Sequence, residues 1–245
     1  MELPPFTWQQ SKYMRRIFFL LSLLFLLIGN TTYSQFNEKP ILNLENEDKD
    51  FLNWGYYLGF NQYDFKFEYK NDLQDILVDK SIGFNVGLIG EMRINEFLDL
   101  RFEPGLFYTS RMLGFPGFTE ETDALREVKS TYINFPVLLK VSTKRLGNWK
   151  PFIIGGVSAS MNLGSNEVSL DDNSSGTFRM KKQVFNYELG FGIDFYTEYF
   201  KFSPSIRGVF AMSDELVPDN DPNSPWTGNI EALRTRGIFV NFTFE

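Results

Sequence analysis

Residues 81 to 94 read SIGFNVGLIGEMRI, and their alternation decides the fold. Ile82, Phe84, Val86, Leu88, Met92 and Ile94 fall on one face of an extended chain; Ser81, Gly83, Asn85, Gly87, Glu91 and Arg93 fall on the other, and Ile89 alone breaks the pattern. A period of two marks a strand with one apolar and one polar face. Toward the C-terminus the same alternation recurs at 99–111, 131–141, 183–194, 200–210 and 237–244. Two further segments are less regular. At 54–70 the apolar phase changes from Trp54, Tyr56, Leu58 and Phe60 to Tyr63, Phe65, Phe67 and Tyr69, which predicts a bulge near Asn61 and Gln62. At 150–163 small residues leave the outer face undecided.

These eight strands are joined alternately by short connections (95–98, 143–149, 195–199) and long ones (71–80, 112–128, 164–182, 211–236). An even number of antiparallel strands, short turns at one end, long loops at the other and an outward face rich in Phe and Tyr predict an all-β fold. Its form is an eight-stranded antiparallel transmembrane β-barrel with short periplasmic turns and long extracellular loops, in contact with outer-membrane lipid. A secreted β-sandwich would also alternate, but would not explain the regular long–short asymmetry. Pro104, Pro136 and Pro204 fall inside strands, where each removes a ladder donor and calls for a bulge or a bonding gap.

The N-terminus agrees with export. Residues 17–29, IFFLLSLLFLLIG, follow Arg15 and Arg16 and precede a stretch of small polar residues. At about 1.5 Å per residue, such a run is too short for the ~30 Å hydrocarbon core and reads as a secretory signal peptide. It spans 1–34, with cleavage between Ser34 and Gln35 and an alternative start at Met14; 35–53 is a polar periplasmic lead-in and 54–245 the barrel.

Composition narrows the chemistry. The 24 basic against 31 acidic residues are the wrong balance for a nucleic-acid partner, and the chain has neither Cys nor His. That removes disulfides, thiolate metal sites and the commonest general base. Asp219 and Asp221 lie two apart, as in a calcium loop, but no Gly or closing Glu follows at the required offsets, so a solvated acidic loop is expected. No catalytic, cofactor or metal-ligating residue is predicted.

An eight-stranded barrel is narrow enough to be filled by its own side chains. The inward faces carry Arg93, Arg101, Lys140, Lys201 and Arg207 against Glu91, Glu103, Glu188 and Asp194. Near-balance is what desolvation demands, since an unpaired buried charge is costly; a structural ion-pair network is the expectation.

Several segments together resemble the PorT family of Bacteroidota outer-membrane β-barrel proteins: WGYYLGFNQYDFKFEYK at 54–70, IGFNVGLIGEMRINEFLDLRFEPGLFYTSR at 82–111, YINFPVLLKV at 132–141 and the ending GIFVNFTFE. The resemblance covers 54–245. It implies a non-enzymatic outer-membrane component required for type IX secretion and gliding motility, with other type IX secretion subunits as partners. The rival expectation is a generic small structural or adhesive barrel.

Overall fold

The computed structural model describes residues 42–46, 49–71 and 75–245. The signal segment, Met14 and the Ser34–Gln35 junction lie outside the described residues.

Ten strands follow one another: β1 (Leu52–Tyr69), β2 (Leu77–Lys80), β3 (Ile82–Arg93), β4 (Leu98–Phe102), β5 (Gly105–Gly114), β6 (Leu125–Ser142), β7 (Trp149–Asn162), β8 (Gln183–Tyr196), β9 (Lys201–Ala211) and β10 (Ile230–Phe244). All pairings are antiparallel, and β1 pairs with both β3 and β10, so the sheet closes on itself. β2 with β3, and β4 with β5, each act as one interrupted stave, which gives an eight-staved barrel.

Prolines account for one interruption. β4 and β5 keep the same register against β6, as Phe102 opposes Val137 and Gly105 opposes Asn134. Against β3 the register is likewise unchanged across the break. No residue has been inserted, so Pro104 makes a bonding gap rather than a bulge, and Pro136 lies across the same gap on β6. The Glu103 N–H still donates to the Pro136 carbonyl at 3.3 Å. Pro204 likewise lies beside a gap in the β8–β9 ladder, between the Gly192–Ser205 and Phe195–Phe202 pairs.

The bulge expected near Asn61 and Gln62 is absent. β1 runs in unbroken register with β10 from Tyr56 to Glu68 and shifts only at Tyr69. The aromatic phase changes because the surroundings change. Trp54, Tyr56, Leu58 and Phe60 face outward, whereas Tyr63 and Phe65 face inward and are buried. Beyond Phe60 the outward positions become Gln62, Asp64, Lys66 and Glu68, as the strand leaves the hydrocarbon layer. β6 and β10 are longer than the alternation suggested for the same reason, starting at Leu125 and Ile230.

The exterior is an apolar band. On β8, Phe185, Tyr187, Leu189, Phe191 and Phe195 are all exposed. Ten residues at about 3.3 Å, tilted by roughly 40°, make a band of about 25 Å, the height a bilayer core requires. β7 presents Ile153 and Val157 outward and Phe152 and Ile154 inward, which settles the face the sequence left open.

Candidate functional site

The interior is layered. At the turn end, alternation aims Glu91 from β3, Arg101 from β4, Lys140 from β6, Asp194 from β8 and Lys201 from β9 at one point. Arg101 Nε lies 3.2 Å from Glu91 and 3.1 Å from Glu103, and its Nη2 is 2.6 Å from Glu245. Lys140 Nζ is 3.2 Å from Glu91 and 2.8 Å from Asp194. Lys201 bridges Glu91, at 3.1 Å, and Glu245. One step deeper, Arg207 joins Glu103 at 2.7 Å to Glu188 at 3.0 Å. Only about 10 Å³ of space, about the room for one water, remains beside Glu91, Lys140, Lys150, Asp194 and Lys201.

Eight of the nine sequence-predicted residues thus lie together. Arg93 does not. It is half-buried at the rim, where its Nε donates to the Asn95 carbonyl at 3.4 Å, and among the described residues it has no carboxylate within ion-pair distance. Its place falls past the last full turn of the ladder, where the inward direction opens to water. Sequence reasoning missed Glu245, which continues the inward phase of Asn241 and Thr243 one residue past β10. Four cations therefore meet five carboxylates.

Above this network Tyr57 fills the barrel beside two glycines: a Cβ on Gly105 would lie 2.0 Å from its hydroxyl, and one on Gly87 2.5 Å from its ring. An amide belt follows, in which Asn85 Nδ2 donates to Asn241 at 2.6 Å. Next come Tyr63, Phe107, Tyr132 and Phe239, whereas Ile89 of the broken alternation is buried on the turn side of Tyr57, two residues along β3 from Glu91. Arg111 lies over the Phe65 ring, 3.8 Å from its centre, and donates to Ser130 and Tyr132 at 3.1 Å.

The loop end is closed by an apolar core in which Phe65, Leu113, Val128 and Leu233 from the strands meet Phe115, Phe178, Met180 and Leu216 from the loops. The acidic loops are structural here rather than simply solvated. Asp219, 8% exposed, accepts hydrogen bonds from Asn173 Nδ2 at 3.0 Å and from Ser224. Asp221 stays exposed; its carboxylate accepts the Asn223 N–H and its carbonyl the Ser224 N–H. β9 stops at Ala211 while β10 continues to Ile230, and loop carboxylates occupy the vacated edge. Asp214 accepts the Leu233 N–H at 2.9 Å, and Glu215 accepts the Thr235 N–H at 2.8 Å and its hydroxyl at 2.9 Å. Burial pushes the Glu215 carboxyl up to about 7, against the pull of those hydrogen bonds. Among the described residues, no cluster of three or more acidic side chains is arranged to hold a metal ion.

Solved structures with related architecture include Neisserial surface protein A (9% identity over 77% of this chain and 95% of that one, TM-score 0.42). OprG from Pseudomonas aeruginosa is 13% identical over 78% and 94%, with TM-score 0.42. Ail of Yersinia pestis, in complex with a heparin analogue, is 12% identical over 78% and 96%, with TM-score 0.37. No curated protein matches the sequence. A model of the outer membrane protein beta-barrel domain matches residues 33–217. The closed barrel, its apolar band and this match together make the chain a member of the outer membrane protein beta-barrel domain family, located in the outer membrane.

Proposed function

We propose that this barrel is a non-enzymatic component of type IX secretion and of the gliding motility that depends on it. The filled lumen carries the reading: a barrel sealed by an ion network at one end and an apolar core at the other must act through its surfaces and not as a conduit. The resemblance of the 54–70 segment supplies the pathway. In this reading the short turns face the periplasm, the mature chain starts at Gln35, and the 35–53 lead-in offers a contact for other secretion subunits. Part of that lead-in is already fixed to the turn end, where Asn43 Nδ2 donates to the Tyr196 carbonyl and its N–H to Asn148 Oδ1, each at 3.0 Å. Deleting the gene should trap cargo bearing C-terminal sorting domains inside the cell and abolish spreading, while other outer-membrane proteins assemble normally. Persistence of secretion and spreading in a clean deletion would favour a structural or adhesive barrel. The second reading draws support from the loop end, where Trp226 stacks on Phe118 at 5.0 Å and donates to the Asp123 carbonyl at 2.9 Å, a folded surface suited to contact.

A further inference from the structure

We propose that the outward face where β1 meets β10, at the loop-end margin of the apolar band, binds the phosphate of a phosphorylated glycolipid in the surrounding leaflet. Lys66, Arg234 and Arg236 line a groove of about 270 Å³ there, with Tyr187 and Phe210 on its other wall. The groove exists because β9 ends at Ala211 while β10 runs on, leaving a step in the outer wall.

Charge and register point to an anion. Lys66 lies directly opposite Arg234 in the β1–β10 ladder. Like charges in that relation are destabilising. Glu68 partly offsets them, 3.1 Å from Lys66 and 2.6 Å from Arg234. Asp64 likewise serves both Arg236, at 2.7 Å, and Lys80, at 3.2 Å. Four cations thus share two carboxylates in a chain whose formal charge is −7. The outward pair on the far wall, Lys129 with Glu127 at 3.0 Å, is balanced by contrast.

Position selects a lipid over a soluble anion. Phe210 is the register partner of both Arg236 and Tyr187, and the Phe210 and Tyr187 rings stack at 5.1 Å. These rings belong to the aromatic margin where headgroups meet acyl chains. A phosphate held by Lys66 and Arg234 would therefore hang its chains over Phe210, Tyr187 and Leu189, with the guanidinium supplying the forked donors suited to phosphate oxygens. The inference is independent of the secretion role; orientation only decides which leaflet supplies the lipid.

The test uses the purified barrel in a neutral detergent. Diphosphorylated lipid A, its dephosphorylated form and inorganic phosphate are titrated separately, with bound lipid counted by native mass spectrometry and heat resistance followed on gels. Wild-type protein should retain the phosphorylated lipid about tenfold more tightly than K66Q/R234Q, a difference of ~1.4 kcal/mol. Without lipid the double variant should resist heat about as well as wild type, because loss of the like-charge pair offsets loss of the two exposed Glu68 pairs. Lys66→Gln alone, at an exposed position, keeps the comparison if the double variant does not fold. Equal retention by wild type and variant, equal binding of the dephosphorylated lipid, full competition by inorganic phosphate, or an equal loss in K129Q would each overturn the proposal.

Discussion

Replacing Glu103 by Leu tests the assignment of faces and the energetics of the lumen together. Glu103 is 2% exposed, and its two oxygens lie 3.1 Å from Arg101 and 2.7 Å from Arg207. Removing one member of a buried pair costs about 3–5 kcal/mol because the other is left charged and dry. Arg101 keeps Glu91 and Glu245, and Arg207 keeps Glu188, so the lower end, about 3 kcal/mol, is expected. At roughly 2–4 °C per kcal/mol for a chain of this size, that is a fall of roughly 10 °C. Leu106→Val is the control. Leu106 faces lipid, which is as apolar as the side chain, so the change should cost less than about 1 kcal/mol. The assay is the temperature at which the compact band gives way to the unfolded band on detergent gels, checked by urea unfolding in lipid vesicles. The Glu103→Leu, Arg207→Leu double variant should lose less than the sum of the two single losses, because the Glu103–Arg207 bond can be lost only once. Equal effects of Glu103→Leu and Leu106→Val, or strictly additive losses in the double variant, would refute the reasoning.

Other consequences can be checked as directly. Since the Glu215 carboxyl titrates near 7 in the fold against about 4.5 when free, its contribution is full below pH 4.5 and is lost as pH rises through 7. The loss is about 3 kcal/mol by linkage and falls between pH 4.5 and 7, so the melting temperature should decline across that window, and Glu215→Gln should flatten that dependence. Gly105→Ala should lower stability by about 1–3 kcal/mol by driving a methyl into Tyr57, and Tyr57→Phe should recover part of it in a melting series. A tag beside Val168, 95% exposed, should be labelled from outside intact cells, whereas one beside Tyr199, 85% exposed, should not; labelling of both would reverse the topology. Peptide mapping of outer-membrane fractions should find Gln35 as the first residue, and recovery of intact 15–34 would contradict signal cleavage.

Much of this molecule is legible in its alternation. The staves, their order and the convergence of Glu91, Arg101, Lys140, Asp194 and Lys201 follow from a period of two and a tally of which charges share a face. The misses share a cause. Reading outward as apolar holds only inside the hydrocarbon layer, so β1 beyond Phe60 looked kinked and the first turns of β6 and β10 looked like loop. Arg93 has the inward parity of Glu91 but lies where the ladder ends, and parity carries no information about depth. Glu245 was readable, being two residues on from Thr243, yet it follows the last ladder pair. The carboxylates of Asp214 and Glu215 could not be read, because their use depends on how far β9 falls short of β10.

The seam between the first and last strands has a consequence for how the molecule is made. Every other stave joins a neighbour in sequence, a local event, but Tyr56 must find Phe244 across nearly the whole length of the domain. The nine charged side chains of the ion-pair network come from strands on both sides of that seam, and Glu245 is one of them. An unzipped sheet inserted into hydrocarbon would turn those charges toward lipid with no partners across the lumen, at a cost no bilayer insertion could offset. Ring closure and the exclusion of water from the lumen must therefore be a single kinetic event, with the barrel entering the membrane already joined or joining as it enters.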